Sequence, residues 1–313
     1  MPGTMRALVT HQWGDPEELR LEEVPRPEAG DGELLVRVLA AGINPVDWKT
    51  RRNGGLMKSR GVEPPVILGW DISGVVEAVG PGVEGFVVGD EVFGLVGFPK
   101  AIGAYAEYAA VPAAQVARKP ANISHEEAAA LPLVALTAHQ AFELAELSAG
   151  QLVLIHAAAG GVGSIAVQLA KARGARVAGT AGPDNQEFLR ELGVDIPIDY
   201  TSTDFAAVLS DVDVVLESQG GDVRQRSWGV LRKGGVMVSI LGPLPQEDAE
   251  AHGVRGMHML VRPDGAQMQL IAGLAASGAV RPIVQETYPF ARAADAHRAA
   301  ESGHTRGKLV LVP

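Results

Sequence analysis

The chain has 313 residues, of which 47% are apolar and 20% charged, and its formal net charge is −10. This length predicts two domains, each large enough to bury its own core. An acidic chain without a run of Lys and Arg does not suit nucleic acid or acidic lipid, so a small-molecule ligand is expected. No stretch approaches the roughly 20 apolar residues that span a bilayer, and no basic region followed by an apolar core opens the sequence. We therefore predict a cytoplasmic protein that binds neither nucleic acid nor membranes.

The sequence contains no cysteine. This excludes disulfides, iron–sulfur clusters, thiolate nucleophiles and every zinc site that needs sulfur. The eight histidines are scattered along the chain, without a pair spaced i, i+4 that could hold a metal from one helix face. No metal site is predicted.

The first third of the sequence predicts a strand-rich domain. Short β-like runs such as MRALVTH, ELLVRVLAAGI and SGVVEAVG alternate with connections rich in Gly and Pro, which is typical of a barrel-like sheet. At Ser124 the pattern changes, because a capping serine, acids in the first turn and a long apolar period predict helix.

From Gln151 onward, strands rich in Val, Ile and Leu alternate with helices. This alternation predicts a doubly wound parallel sheet with right-handed crossovers. The last two predicted strands, RPIVQETYPF and KLVLVP, are expected to return to the first domain. We thus predict an α/β fold in which a β-rich domain of residues 1–122 and 265–313 carries an inserted dinucleotide-binding domain of residues 123–264.

The segment LVLIHAAAGGVGSIAVQLAKARG has a strand, a Gly-rich turn and a helix in the order that a pyrophosphate site requires. Glycines let the backbone approach the phosphates, and the helix N-terminus offers free N–H groups. Ala157 stands where the usual triplet has its first Gly, and a purely structural turn is the alternative interpretation. The residues assigned to the phosphates are Ala159, Gly160, Gly161, Val162 and Gly163.

The next strand, ARVAGTA, should end near the adenosine ribose. NAD-dependent proteins place an acid there to bind the 2′-hydroxyl, whereas this chain has Thr180. A carboxylate would repel a 2′-phosphate, so its absence favours NADPH over NADH. Asp184 lies four residues further on and no cation follows Thr180 directly, and Thr180 could also be a strand-end residue without a ligand.

Ordered motifs along the whole chain resemble a known family. These are AAGINPVDWKTR, LGWDISGVVEAVG, VGDEVFGL, GAYAEYAAVP, AAAGGVGSIAVQLAK and GKLVLVP. They resemble the medium-chain dehydrogenases/reductases, in the zinc-free branch of quinone oxidoreductase-like and enone reductase-like proteins. The resemblance implies a discontinuous GroES-like catalytic domain, an inserted Rossmann domain and a cofactor in the cleft between them.

Zinc-dependent members of this family hold their metal with a Cys near AAGI and a His in a Gly-His-Glu motif. At these places this chain has Asn44 and Trp70, which are not zinc ligands. Without a Lewis acid, the chemistry suits acceptors that already delocalise the incoming charge, such as quinones and α,β-unsaturated carbonyls.

Hydride addition to such an acceptor leaves an enolate-like oxygen that needs a hydrogen-bond donor. The resemblance makes Lys49 the first candidate, with a solvated surface lysine as the alternative. Asn44 resembles the family's polar residue beside the nicotinamide. Asp47 is expected to orient Lys49 or to cap the helix after Pro45 rather than to act as a general base.

Further cofactor contacts are implied by the resemblance alone. Thr137 would contact the nicotinamide ribose or carboxamide, or merely bond its own helix backbone. Tyr200 would lie near the 2′-phosphate, and Tyr105 is expected to pack rather than to line the pocket. Lys308 and Arg306 would lie near the phosphates, or be ordinary surface charges. The remaining cofactor contacts are assigned to Ser218, Ser239, Leu241 and Gly242.

The sequence thus predicts an NADPH-dependent, zinc-independent oxidoreductase that reduces a quinone or an enone. Two alternatives stay open: a reductase of 2-alkenals, which would share the same residues, and an NADPH-binding sensor without turnover. By analogy with relatives, a homodimer would form through the strand predicted at GMHMLV.

Overall fold

The computed structural model describes residues 3–100 and 102–313. Backbone contacts divide the chain into two units: the first ends at Leu136 and resumes over Arg262–Gly278 and Pro282–Pro313, and the second comprises Thr137–Val261 and Ala279–Arg281. None of the helices within the described residues is long and apolar enough to cross a membrane.

The first stretch of the chain is built mostly of strands. Its elements, in order, are β1 (Thr4–Thr10), β2 (Leu19–Pro25), β3 (Glu33–Gly42), α1 (Pro45–Asn53), α2 (Gly55–Lys58), β4 (Val66–Ile67), β5 (Asp71–Val79), β6 (Glu91–Leu95), β7 (Tyr108–Pro112), β8 (Val116–Arg118), α3 (His125–Ala129) and α4 (Pro132–Leu144).

Strands and helices then alternate. The elements are β9 (Leu152–Ile155), α5 (Gly161–Ala172), β10 (Arg176–Ala181), α6 (Gln186–Glu191), β11 (Ile196–Asp199), α7 (Phe205–Val208), β12 (Val212–Glu217), α8 (Gly221–Ser227), β13 (Leu231–Ser239), α9 (Gln246–His252) and β14 (Arg255–His258). The chain closes with α10 (Gly265–Ala276), β15 (Val284–Pro289), α11 (Ala293–Glu301) and β16 (Lys308–Val312).

The second unit is a parallel sheet with the strand order β11-β10-β9-β12-β13-β14. This is the doubly wound order, with its reversal between β9 and β12. The central strands bury apolar side chains on both faces, as Val153, Leu154 and Val215 illustrate, because helices cover each face of such a sheet.

The first unit contains a sheet ordered β15-β16-β3-β5-β6-β8, with β7 also paired to β3, and a smaller sheet ordered β2-β1-β4. The last strand, β16, pairs antiparallel with β3 at Val310 and Leu311. The C-terminal strands therefore return to the first unit, and the predicted fold class, a discontinuous β-rich domain with an inserted doubly wound domain, is confirmed.

The division after Leu136 differs from the predicted boundary at residues 122 and 123. Helix α3 accounts for part of the difference, because Ala129 packs in one apolar cluster with Ala40 and Val310 of the first unit. A Cβ at Gly42 would lie 2.3 Å from the Ala129 carbonyl oxygen, so β3 and α3 are in backbone contact there. The predicted bounds stay a prediction of domain architecture.

Candidate cofactor-binding and active-site residues

The Gly-rich turn of the second unit connects β9 to α5. Gly160 caps α5 with extended backbone, and its N–H donates to the Ala157 carbonyl at 2.9 Å. A Cβ at Gly163 would lie 2.2 Å from that same carbonyl oxygen, so only glycine fits there. Ala157, which replaces the usual first glycine, takes a positive φ of 49°, a conformation uncommon for non-glycine residues. The turn thus keeps the tight geometry of a phosphate-binding loop and leads into a twelve-residue helix.

The side chain of Thr180 makes a contact that the sequence did not suggest. Its side chain is buried at the carboxyl end of β10, with Oγ1 3.2 Å from His156 Nδ1. His156 Nε2 lies 2.9 Å from Ser227 Oγ. Burial lowers the pKa of His156 to about 4, against the opposing charge of Glu217. A neutral imidazole therefore bridges Thr180 and Ser227.

Tyr200, by contrast, is exposed and lies beside the turn that follows β10. A Cβ at Gly182 would be 3.5 Å from its hydroxyl oxygen, and 64% of the residue is accessible. Tyr200 therefore lies beside Gly182, which directly follows β10, and its contact with the adenosine end of the cofactor stays a prediction.

Glu217 is a buried acid that the sequence analysis missed. It ends β12 and accepts hydrogen bonds from the Gln219 N–H at 2.7 Å, the Arg224 Nε at 2.9 Å, the Ser239 hydroxyl at 3.0 Å and the Gly220 N–H. Burial raises the pKa of its carboxyl, but the N–H donors and Arg224 outweigh burial and lower it below the ordinary value. An acid at the end of the apolar run DVVLE was the available sequence signal.

Three predicted residues lie around this carboxylate. Ser239 donates to Glu217 and accepts the Leu241 N–H at 3.2 Å, while Ser218 donates to the His156 carbonyl at 3.3 Å. Ser239 is the last residue of β13, Leu241 lies two residues beyond it, and Ser218 directly follows β12, so all three lie at the carboxyl ends of these strands, where doubly wound sheets bind ligands. Among the described residues, no atom beyond its chain neighbours lies within 4 Å of the position that a Cβ on Gly242 would take.

The first unit holds a second polar group of residues, here called the Asn44 cluster and defined as Asn44, Asp47, Asp71 and Lys308. All four are buried. Asn44 Nδ2 donates to Asp71 Oδ2 at 2.9 Å, and Lys308 Nζ donates to Asn44 Oδ1 and, at 2.5 Å, to the Ile43 carbonyl. Lys308 Nζ is also 3.7 Å from Asp71 Oδ2.

Local sequence explains how Asn44 and Asp47 reach these positions. Asn44 is the N-cap of α1, Pro45 is its first residue, and Asp47 accepts the Asn44 N–H at 2.5 Å. Asp47 thus closes the first turn of α1 on its N-cap residue, as the acid of a capping box does, and Pro45 preorganises that turn. The predicted capping role of Asp47 matches this geometry.

Burial controls the titration of the Asn44 cluster. It raises the pKa of Asp47 to about 7 and that of Asp71 to about 6, and Lys308 opposes both shifts. Burial also lowers the pKa of Lys308, which the charges of Asp71 and Asp47 counteract. The cluster therefore balances one ammonium against two carboxyls that hold protons more readily than exposed acids.

The other predicted residues of this unit lie outside these hydrogen bonds. Lys49 is exposed, with its Nζ 5.4 Å from the centroid of the Trp48 ring. Tyr105 is fully buried and meets the His297 ring edge-on at 5.9 Å. Thr137, the first residue of the second unit, is buried on α4. Lys308, which the resemblance assigned to phosphates, instead bonds Asn44.

Two family models match the chain: the alcohol dehydrogenase GroES-like domain over residues 30–121 and the zinc-binding dehydrogenase model over residues 192–311. The chain is also 35% identical to the 2-methylene-furan-3-one reductase of Solanum lycopersicum, over 100% of this chain and 80% of that protein. It therefore belongs to the medium-chain dehydrogenase/reductase superfamily, in the branch of enone and quinone reductases.

Two further relatives extend this similarity. The chain is 36% identical to the chloroplastic NADPH-dependent alkenal/one oxidoreductase of Arabidopsis thaliana, over 100% of this chain and 81% of that protein. The solved quinone oxidoreductase of Coxiella burnetii superposes with a TM-score of 0.93 at 35% identity, covering 99% of this chain and 100% of that one.

One matched model is named for zinc, but the residues here do not fit that metal. Trp70 donates its indole N–H to the Lys100 carbonyl at 2.7 Å, and Asn44 is bonded to an ammonium and a carboxylate. Tetrahedral zinc needs three or four Cys, His or acidic donors. Among residues 3–100 and 102–313, no group of three or more such side chains is placed to hold a metal ion.

Proposed function

We propose that this protein is an NADPH-dependent, metal-independent oxidoreductase that transfers a hydride to a quinone or an α,β-unsaturated carbonyl. The observation that carries the proposal is the Asn44 cluster: Asn44 stands where zinc-dependent members of the family have a metal ligand, and its amide is bonded to Lys308 and Asp71. The names of the relatives from tomato, Arabidopsis and Coxiella, which are reductases of such acceptors, support the same chemistry.

NADPH, when bound, supplies the hydride. The turn from Ala159 to Gly163 would hold its pyrophosphate through backbone N–H groups and the helix dipole. Thr137, Ser239, Leu241 and Gly242 would contact the nicotinamide half, and Ser218 would be a further cofactor contact. These residues bind and orient, and orientation by itself supplies a large part of the acceleration of a bimolecular reaction.

The acceptor oxygen gains negative charge as the hydride arrives, so a hydrogen-bond donor should face it. Asn44 would offer its remaining amide N–H to the bound ligands. Lys49 stays our candidate for the charged donor, because its ammonium is exposed and can reach a ligand, whereas the ammonium of Lys308 is buried and bonded within the protein. Substitution Lys49→Met should lower kcat for enones more than it raises the Kd of NADPH.

NADPH is preferred over NADH in this proposal because no acid occupies the end of β10. Thr180 bonds His156 there, so the exposed Tyr200 is the better candidate for a contact with the 2′-phosphate. The name of the Arabidopsis relative also specifies NADPH.

The test is absorbance at the reduced-nicotinamide band, with NADPH and NADH each offered an ortho-quinone, a para-quinone, a 2-alkenal and a simple ketone. We expect NADPH to be consumed with the conjugated acceptors and not with the ketone. Turnover of the ketone that a chelator abolishes would contradict the metal-independent mechanism. Saturable NADPH binding without any turnover would favour the sensor function.

Two glycine-to-alanine substitutions test whether the Gly-rich turn binds the cofactor phosphates. Gly163→Ala should raise the Kd of NADPH by roughly 10-fold or more, because the new Cβ collides with the Ala157 carbonyl and displaces the phosphate turn. Gly229→Ala, in the same unit but with nothing within 4 Å of its Cβ position, should leave the Kd unchanged. Equal effects of the two substitutions would argue against this turn as the phosphate site.

A second candidate, reduction of 2-alkenals, is favoured by the alkenal/one relative. The ratio of kcat/KM for a 2-alkenal and a quinone in the same assay decides between the two acceptors.

We further propose a homodimer and a cytoplasmic location. The outer strand β14 pairs with β13 on one side, and an edge strand is suited to pairing with a second copy across a two-fold axis. Sedimentation equilibrium tests the dimer, and fractionation of the source cells tests the location.

A further inference from the structure

The side-chain amide of Asn44 lies between a cation and a carboxylate. Its oxygen accepts from the Lys308 ammonium, and one of its N–H groups donates to Asp71 Oδ2 at 2.9 Å. The other Asp71 oxygen accepts the Leu133 N–H at 2.9 Å, which keeps the carboxylate in place. Every polar partner of the amide is thus itself anchored in the first unit.

This arrangement permits only one orientation of the amide. A rotation by 180° would place the NH2 group against the Lys308 ammonium and the carbonyl oxygen against the Asp71 carboxylate. Both new contacts would be repulsive, and both hydrogen bonds would be lost inside a buried site, where unpaired polar groups are costly. The backbone is held as well, because the Asn44 N–H donates to Asp47.

An asparagine amide has two N–H groups and one oxygen. Lys308 occupies the oxygen and Asp71 occupies one N–H, so the second N–H is the group available to a ligand. We propose that Lys308 is a positioning residue: together with Asp71 it locks the Asn44 amide so that this second N–H, and not the oxygen, faces the bound ligand. The proposal rests on the proposed function, in which Asn44 contacts cofactor or substrate.

This role differs from the phosphate contact that the family resemblance assigned to Lys308. The Lys308 side chain is only 5% exposed, and its Nζ already donates to the Ile43 carbonyl and to Asn44. An ammonium has three donors, and the third points to the neighbourhood of Asp71, 3.7 Å away. A direct phosphate contact would require these bonds to break.

A double-mutant cycle distinguishes a Lys308 that positions Asn44 from a Lys308 that binds the cofactor phosphates. Lys308→Met should lower kcat with an enone by roughly 10- to 100-fold, because a misoriented donor costs about this much, while the Kd of NADPH, read by fluorescence, changes by less than about threefold. In the Asn44→Ala background, Lys308→Met should have no further effect on kcat beyond about twofold, because the group it positions is gone. Lys308→Gln, whose amide can donate to Asn44, should recover part of the activity.

The outcomes that overturn the proposal are equally defined. Multiplicative losses in the double variant would show that Lys308 acts independently of Asn44. A rise of roughly 10-fold or more in the Kd of NADPH with unchanged kcat would restore the phosphate contact. If Lys308→Met does not fold, Lys308→Gln and Asp71→Asn complete the same cycle.

Lys119 provides a matched control. Its side chain is also 5% exposed, and its Nζ donates to the carbonyls of Pro120 and Ile123. Lys119→Met removes a buried ammonium without touching Asn44, so it should lower the melting temperature but leave kcat within about twofold. An equal loss of kcat in Lys119→Met would mean that burial of a lysine, and not its bond to Asn44, explains the result.

One readout does not need turnover and so separates failure of this inference from failure of the proposed function. In 15N-labelled protein, the Asn44 side-chain NH2 pair is assigned by its loss in Asn44→Ala. It should move in Lys308→Met and keep its position in Lys119→Met. An unmoved pair in Lys308→Met would overturn the positioning role even if the protein reduced every acceptor, and a moved pair would support it even if no acceptor were reduced.

Discussion

The pKa values of buried carboxyl groups are shifted in opposite directions in two polar clusters of this protein. In the second unit, Glu217 accepts two backbone N–H groups, Arg224 and a serine hydroxyl, and its pKa falls below the ordinary value. In the first unit, Asp47 accepts one backbone N–H, and burial raises its pKa to about 7. Neither side chain is accessible to solvent; burial dominates at Asp47, whereas at Glu217 the N–H donors and Arg224 outweigh it.

This contrast has a functional consequence. A carboxylate with four donors is a fixed charge that organises the ends of β12 and β13. A carboxyl with few donors exchanges its proton near neutral pH and can respond to a neighbouring charge, here Lys308 and Asp71. The first unit is therefore the region whose charge state should depend on pH in the working range of an enzyme, whereas the Glu217 cluster should remain ionised.

The largest expected effect comes from removing the well-satisfied carboxylate. Glu217→Ala leaves Arg224, Ser239 and two backbone N–H groups without their acceptor, so it should lower the free energy of unfolding by about 4 kcal/mol. Chemical denaturation followed by fluorescence of the four tryptophans measures this.

Glu187→Ala is the control, because Glu187 forms an exposed pair with Arg190 and should cost less than about 0.5 kcal/mol. A loss below about 1 kcal/mol for Glu217→Ala would mean that the donors find other partners, and the contrast between the clusters would lose its basis.

The second prediction concerns pH. The folded pKa of Asp47 lies above its ordinary value of 3.8, at about 7. Between these values the folded protein holds a proton that the unfolded chain has released, so the free energy of unfolding falls as pH rises from about 4 to about 7. Asp47→Asn, which keeps an oxygen for the Asn44 N–H, should remove about 3 kcal/mol of that decrease. Denaturation curves at pH 4.5 and 7.5 measure it.

Glu217 should show the opposite sign. Because folding lowers its pKa, ionised Glu217 stabilises the folded protein at pH values above its ordinary pKa of 4.5. This stabilisation is lost as the pH falls through the lower pKa of the folded state. Glu217→Gln should therefore flatten the acid side of the stability profile and leave the neutral side unchanged. The same pH dependence in both variants would show that the two clusters do not differ as described.

The fold followed from the sequence because its signals are local and repeated. The alternation of apolar strands and helices after Gln151 predicts the doubly wound sheet, and the family resemblance implies that the last strands return to the first domain. The boundary between the two units was harder to predict from the sequence, because it depends on the packing of Ala129 of α3 against Ala40, two residues far apart in the chain.

Site residues on the Gly-rich turn could be predicted because glycine spacing reports backbone geometry directly. Lys308 and Thr180 could not be placed in this way. Sequence cannot tell that Lys308 is buried against Asn44, 264 positions away, or that the Thr180 hydroxyl meets an imidazole 24 positions earlier. Glu217 was overlooked because its importance depends on donors that only the folded backbone aligns.

The smallest predicted effect concerns Thr180, whose hydroxyl could either bond His156 or contact the 2′-phosphate of the cofactor. If its hydroxyl serves His156, Thr180→Val should cost about 1 kcal/mol of stability through one lost buried hydrogen bond and should leave the ratio of the Kd values for NADPH and NADH unchanged. Tyr200→Ala removes an exposed ring instead, so it should not destabilise the fold but should weaken NADPH relative to NADH. A shifted cofactor ratio in Thr180→Val, with an unshifted one in Tyr200→Ala, would return the 2′-phosphate contact to the end of β10 and would mean that the His156 bond opens when the cofactor binds.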